Sequence, residues 1–353
     1  MSQLPKMDSP NKILIIRFSS FGDIMQGLSA TQALKQNWPL CELHWVTRKD
    51  YSELLSSHRL IDRVWGFDRS SGLMGLIRLG YKLRCENFSH VYDAHNNLRS
   101  YFLRFLLLLR RPAPKFVVRS KFRLKRMLLF WFRRNHFEKP FRGSKSYVTP
   151  LAKWGLKIND LTPPFRLPIE IVGATLKQHG IEDRSIVLVP SAAWSMKTWP
   201  FEHWLSLTKS LIQQTNHPLV ILGGASDQVC FDLKKGISND RVLNLAGKLT
   251  LTQSCAVIQS AAVIISADTG LMHAGDQMGV KTLALLGPTA FGHPLFKNSE
   301  SIEVPLNCRP CTKDGRGRCV QKVYQKCMQD ITAERVLQSV IEKISNPVTG
   351  PLS

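Results

Sequence analysis

Acid is scarce relative to base in this sequence: 26 Asp and Glu stand against 48 Lys and Arg in 353 residues, a formal charge of +22. That imbalance points to an anionic partner, whether nucleic acid, phosphorylated substrate or acidic membrane surface, without choosing among them. Long apolar runs are missing too. The most apolar stretch, Tyr101 to Leu109, is nine residues long and contains Arg104, far short of the roughly 20 residues of a membrane span. The opening MSQLPKMDSPNK holds no apolar h-region, so no secretory signal peptide is expected. Eight cysteines are too few here for a small disulfide scaffold and are expected as reduced thiols in the cytosol. No short repeat is visible. With 44% hydrophobic and 21% charged residues, disorder, collagen-like repeats and coiled coil are excluded as the main architecture, and the length predicts two domains or one large one.

What is present is an alternation of short β-branched runs with helix-like stretches, the pattern of parallel sheets covered by helices. Strands are expected at Ile13–Arg17, Leu43–Val46, His90–Tyr92, Ile186–Val189, Leu219–Leu222, Val263–Ile265 and Thr282–Leu285. Helices are expected at Asp23–Gln36, Phe201–Gln214 and Thr252–Ser260. Leu161 to Pro168 carries three prolines, and proline lacks the N–H that a helix interior or inner strand requires. The expected division is therefore residues 1–160, a linker 161–182, a second domain 183–330, and a C-terminal helix and tail 331–353. Two such α/β halves facing each other would form a cleft, with ligands beyond the carboxyl ends of the strands.

The positive charge is concentrated. From Arg99 to Lys145 fifteen Lys and Arg meet one acid, Glu138, so this stretch carries +14 of the +22. In KFRLKRMLLFWFRR (Lys121 to Arg134) the cations interleave with Leu, Phe and Trp, which suits a helix lying in an anionic interface. A solvated basic face over an ordinary core fits the same pattern. A nucleic-acid groove is the third reading, and no RNP, zinc-finger or helix-turn-helix signature accompanies it.

Several expected strand-to-helix turns carry chemistry. Arg17-Phe18-Ser19-Ser20-Phe21-Gly22-Asp23 follows the first strand. It is not the GxGxxG of dinucleotide enzymes, so no nicotinamide or flavin is indicated. Gly22 permits close backbone approach, and Asp23 is either a functional carboxylate or a complement to the helix N-terminus. In Pro190 to Pro200 (PSAAWSMKTWP) small residues leave N–H groups for an anion, and Lys197 adds a point charge suited to phosphate. In Ser266 to His273 (SADTGLMH), Asp268, Thr269 and Gly270 open a helix whose dipole suits a diphosphate, with His273 one turn on. An ordinary capped helix is the alternative. Gly223-Gly224 before Asp227 and Gly287-Pro288-Thr289 mark two further strand ends, and five such turns together favour a nucleotide-diphosphate ligand.

In that order, RFSSFGDIMQGLSA, the Trp-x-x-Lys-x-Trp-Pro of Trp194 to Pro200, GGASD, LAGKLTL, SADTGLMHA and LLGPT resemble the bacterial lipopolysaccharide heptosyltransferases, glycosyltransferase family 9, over about residues 12 to 340. The resemblance implies a GT-B fold of two Rossmann-like domains and inverting, metal-independent transfer of heptose from ADP-heptose to the inner core, with no cofactor. It implies Asp23 as catalytic base. For the donor it implies Lys197, Asp227, Leu249, Asp268, Thr269, Gly270 and His273, with Asp227 toward the ribose and Leu249 toward the adenine; Ser191 and Thr289, on turns of the same rim, are expected beside them. Ser20, Gly22, Arg99, Arg123, Lys125 and Arg126 are expected to serve an anionic lipid A–Kdo acceptor. Gln26 stands where the family often has His, and Ala192 and Ala193 where some members have hydroxyls.

Cys308, Cys311, Cys319 and Cys327 space as C-x2-C-x7-C-x7-C; only the first pair has usual zinc-ligand spacing, and packed reduced thiols are expected instead. The resulting expectation is a cytoplasmic enzyme peripheral to the inner membrane, with no nucleic-acid partner. Its rivals are transfer of another nucleotide sugar on the same fold, and non-enzymatic binding of anionic lipid or RNA.

Overall fold

The computed structural model describes residues 10–158, 160–181 and 184–345. The chain divides into two compact units: residues up to Lys121 with Ser144–Phe165, and Phe122–Gly143 with the chain from Arg166 onward.

The first unit holds five strands: β1 (Lys12–Ile16), β2 (Glu42–Arg48), β3 (Arg63–Phe67), β4 (His90–Asp93) and β5 (Lys115–Val118). They lie in the order β3-β2-β1-β4-β5, every pairing parallel. The central strand β1 is apolar after its first residue because helices cover both sheet faces; Ile13, Leu14, Ile15 and Ile16 are fully buried. Strand order reverses beside β1, between β2 and β4, which is where open α/β sheets leave a crevice. Helix Phe21–Asn37 leaves that point.

The second unit holds β6 (Ile186–Val189), β7 (Leu219–Ile221), β8 (Val242–Asn244), β9 (Val263–Ala267), β10 (Thr282–Leu286) and β11 (Ser299–Glu303). They form a parallel sheet in the order β11-β10-β9-β6-β7-β8. Helix Phe201–Gln214 packs Trp204, Leu207 and Leu211 into its core. Pro200 precedes that helix, and its carbonyl accepts from the His203 and Trp204 N–H groups (3.1 and 3.2 Å). The Trp199 indole is buried and donates to the Ile331 carbonyl (2.8 Å), tying the loop after β6 to the start of C-terminal helix Ala333–Ser345.

The expected domain boundaries need two corrections. Phe122–Gly143, placed by sequence in the first domain, groups with the second unit. Its aromatic side chains explain this: Phe137 and Phe141 meet Phe291 edge to face at 5.2 and 5.3 Å. The expected linker 161–182 also contains helix Ile169–His179. The prolines end at Pro168, whose carbonyl accepts from Ile171 and Val172 N–H (3.1 and 3.2 Å), so the stretch opens the helix instead of preventing one. Leu167 and Gln259 exchange two hydrogen bonds (2.7 and 3.0 Å) that seat it on the second unit. The last linker residue, 182, and the tail 346–353 fall outside the described residues.

Candidate functional site

In the first unit, the loop after β1 delivers Asp23 into the first turn of helix Phe21–Asn37. Its carboxylate is held by side chains. Arg17 contacts Oδ2 at 2.6 Å, the Ser20 hydroxyl donates to Oδ2 at 2.8 Å, and the Tyr147 hydroxyl donates to Oδ1 at 2.9 Å. Arg119 lies over the Tyr147 ring at 3.8 Å and donates to Ser146 Oγ at 2.7 Å. Arg17 is itself fixed by the Ala94 carbonyl (2.9 Å) at the end of β4. Burial alone would raise the Asp23 carboxyl; Arg17, the Ser20 hydroxyl, Arg119 and the Tyr147 hydroxyl outweigh it and lower it to about 2. The side chain remains 38% exposed. Asp23 is therefore an ionised, oriented and reachable carboxylate, and the Ser20 hydroxyl is spent on it.

Close by, the His95 ring is kept neutral, its pKa lowered to about 3 by burial first and Arg17 second. Its Nδ1 accepts from the Phe18 N–H (3.2 Å), which fixes the backbone just before Ser20.

In the second unit, the expected donor residues sit at the carboxyl ends of neighbouring strands. Lys197 Nζ meets Asp268 Oδ2 at 2.7 Å, with both side chains nearly buried. Thr289 Oγ1, after β10, donates to the same oxygen (2.9 Å), and His273 Nε2 lies 3.6 Å from Oδ1. Burial would raise the Asp268 carboxyl, but His273 and Lys197 hold it well below the usual carboxylate range. Thr269, not Asp268, caps helix Gly270–Met278: its Oγ1 accepts from Met272 N–H (3.3 Å) and pairs with Ser266 Oγ (2.9 Å). Gly270 is the first residue of that helix.

Around β6, β7 and β8 the picture differs. Asp227 turns back onto its own loop, Oδ2 accepting from Gly224 N–H at 2.7 Å. Ser191 hydrogen-bonds the Cys230 thiol, which burial pushes up to about 12. Leu249 is half-buried just beyond Gly247, whose φ of +74° and contact with Ala225 leave no room for a Cβ.

The expected acceptor residues are not one group. Ser20 and Gly22 belong to the Asp23 turn, and Arg99 is exposed on helix Leu98–Leu108 of the first unit. Arg123, Lys125 and Arg126 belong to the second unit on helix Arg123–Phe132. There Arg126 stacks over Phe291 at 4.5 Å while Arg123 and Lys125 are exposed. Two residues around Asp23 carry no signal in the sequence pattern: Arg119 and Tyr147 come from far along the chain, where no local motif points to them, whereas Arg17 opens the turn that carries Asp23 but is given no role of its own there. Asp276 is equally silent in sequence. It is a fully buried acid that accepts from Leu295 and Phe296 N–H (both 3.0 Å) and Ser299 Oγ (2.8 Å), anchoring the segment between β10 and β11.

All eight cysteines are free thiols. Cys311 Sγ lies 3.9 Å from the Pro288 carbonyl, and a Cβ on Gly287 would meet Cys327 Sγ at 3.2 Å. Among the described residues no group of three or more His, Cys, Asp or Glu is placed to hold a metal ion. No helix among them is long and apolar enough to cross a membrane.

Two Rossmann-like units, each built on an all-parallel sheet, define the GT-B class of fold. The profile of glycosyltransferase family 9 (heptosyltransferase) matches residues 76–320, and the chain belongs to that family. Lipooligosaccharide heptosyltransferase 2 of Haemophilus influenzae is 25% identical over 359 residues, covering 94% of this chain and 99% of that relative. Its Campylobacter jejuni namesake is 28% identical over 196 residues, covering 53% of this chain and 58% of the relative. The structure of E. coli ADP-heptose LPS heptosyltransferase II superposes with a TM-score of 0.73 at 21% identity, over 95% of this chain and 98% of that one.

Proposed function

We propose that the protein transfers heptose with inversion from ADP-heptose to a lipid A–Kdo acceptor, building the lipopolysaccharide inner core without a metal. The observation that carries this reading is the Lys197–Asp268–Thr289 cluster with His273 at the strand ends of the second unit. An incoming diphosphate offers Lys197 a second, stronger anion. Lys197 and the amides at the start of helix Gly270–Met278 would then stabilise the leaving ADP most as its charge develops. The Asp23 carboxylate would accept the proton of the acceptor hydroxyl as that oxygen attacks the anomeric carbon. Arg119 and Arg17 beside it suit an acceptor carrying carboxylates.

The same reading puts the protein at the cytoplasmic surface of the inner membrane. Helix Leu98–Leu108 leaves Leu98, Tyr101, Phe105 and Leu108 half to nearly nine-tenths exposed, and helix Arg123–Phe132 exposes Leu124, Met127, Trp131 and Phe132. These side chains stand among the cations of the basic stretch, a composition suited to an anionic bilayer surface. The test is ADP release across a panel of nucleotide sugars with a lipid A–Kdo acceptor, with the product anomer read by NMR. ADP-heptose should be preferred and the anomer inverted, with chelators having no effect. Release from another sugar nucleotide alone would reassign the donor, and binding without release would make the protein a lipid or RNA binder.

A further inference from the structure

The second unit contains a cavity of about 860 Å³ that lies outside the Lys197–Asp268 cluster. One side is the segment Phe122–Gly143, and the other is the chain from Thr289 to Pro310. The walls are tied together in three places. Phe291 meets Phe137 and Phe141 edge to face, the backbones of Arg142 and His293 form a β-bridge, and Arg133 donates to the carbonyls of Cys308 (3.3 Å) and Pro310 (3.0 Å). A space pinned at ring, backbone and guanidinium is a built feature of the unit. Its volume falls in the usual range for small-ligand sites, roughly 300 to 1,000 Å³.

Its chemistry narrows the occupant. Aromatic rings form an apolar wall suited to the C–H face of a ring, while Asn307, Lys139 and Glu303 supply hydrogen-bonding groups around it. Glu303 already pairs one oxygen with Arg309 (2.6 Å), which orients the carboxylate. An acyl chain would bury these charged groups against hydrocarbon, which is costly. The nucleotide turns are elsewhere: neither Lys197 nor residues 268–270 line this space. Thr289 does line it, and its hydroxyl donates to Asp268 at 2.9 Å. A ligand here would sit one side chain away from the charge cluster.

We propose that this cavity is a saccharide site, holding a sugar ring beside the Asp268–Lys197–Thr289 cluster. The inference rests on the sugar-transfer reading above. Two sources share the chemistry, the glycosyl group of the donor and a sugar of the acceptor. The test is calorimetry on the full chain with ADP, ADP-heptose and a delipidated Kdo-containing oligosaccharide. The exposed Asn307 is replaced to fill the cavity (Asn307→Trp), and Phe141→Ala removes part of the wall. ADP affinity should stay within about twofold in both variants, while affinity for one sugar ligand should fall by about tenfold or more. Loss of ADP-heptose affinity makes it the donor's sugar site, and loss of oligosaccharide affinity makes it the acceptor's. If Phe141→Ala fails to fold, Lys139→Gln at the exposed rim takes its place, with an expected loss of about threefold. Unchanged sugar binding in folded variants overturns the proposal, as does an equal loss of bare ADP, which would make the cavity part of the nucleotide site. Because binding is read directly, a chain that transfers no heptose but still shows these losses would sink the catalytic reading and leave the saccharide site standing.

Discussion

Asp23 and Asp268 are the same residue type, each near the junction of a parallel strand and the helix after it, Asp23 in the first turn of the helix that follows β1 and Asp268 directly after β9, and both are held ionised by a cation. Their surroundings diverge. Asp268 is nearly buried, with Lys197, His273 and Thr289 around it, so its carboxylate serves to position other groups. Asp23 keeps 38% of its side chain open, so it can meet an outside proton. Exposure, more than charge state, is what distinguishes the two acids.

Removing each acid should break that comparison in opposite ways. Asp268→Ala strands Lys197 without its counter-charge in a nearly closed place, and loss of one partner of a buried pair costs about 3–5 kcal/mol; urea unfolding should show it. A loss no greater than that of Asp23→Ala would mean that Asp268 is no more structural than Asp23.

Asp23→Ala removes the partner of the buried Arg17 but opens onto solvent, so it should cost less, about 1–3 kcal/mol, the scale of a hydrogen bond to a charged group, and leave ADP affinity unchanged. Transfer should drop by about 10² or more. A rate within a few-fold of the parent would show that Asp23 only orients Arg17.

Lys197→Ala should weaken ADP by about 10- to 100-fold, the scale of a charge-assisted hydrogen bond, and slow transfer with it. Calorimetry and single-turnover rates measure both, and unchanged values would detach Lys197 from the phosphate.

A pH titration sharpens the contrast further. The Asp23 carboxyl is lowered from 3.8 to about 2. Its pairing therefore contributes stability above the ordinary value and loses it as pH falls through about 2. The stability gap between parent and Asp23→Asn should be constant above pH 5 and close only in strong acid. No acid limb of the transfer rate between pH 5 and 8 should vanish in Asp23→Glu; one that did would place the Asp23 carboxyl far higher than its partners allow.

The smallest effect concerns the surface. Exposed charges are screened over about 8 Å at physiological ionic strength, so vesicle co-sedimentation should need anionic lipid and weaken with salt. Arg123, Lys125 and Arg126 changed to Gln should weaken it modestly. Equal binding to neutral vesicles at high salt would assign the attachment to the exposed apolar side chains instead.

Seven strands are legible in the amino-acid pattern alone: β1, β2, β4, β6, β7, β9 and β10. The four that are not, β3, β5, β8 and β11, are the edges of the two sheets. An interior strand is covered on both faces and becomes an apolar run, as in Ile186–Val189. An edge strand is half solvated, as in Ser299–Glu303 (SESIE), and carries no such run. The site divides in the same way. Asp23, Lys197, Asp268, Thr269 and Thr289 are visible because strand-to-helix turns are local in sequence. Tyr147 and Arg119 are invisible because only the folded sheet brings them to Asp23. The placement of Phe122–Gly143 escapes the sequence because its basic charge hides the phenylalanines that decide its packing.

The chain passes from one unit to the other three times, after Lys121, Gly143 and Phe165. This enzyme is therefore not modular in the genetic sense. A recombinant crossover at residue 165 would separate Phe291 from the Phe137 and Phe141 rings that pack on it, and would open the saccharide cavity along its whole length. Chimeras exchanging donor halves among relatives should keep their fold only when residues 122–143 travel with the C-terminal part. The unit of inheritance for sugar choice would then be two separated stretches of gene.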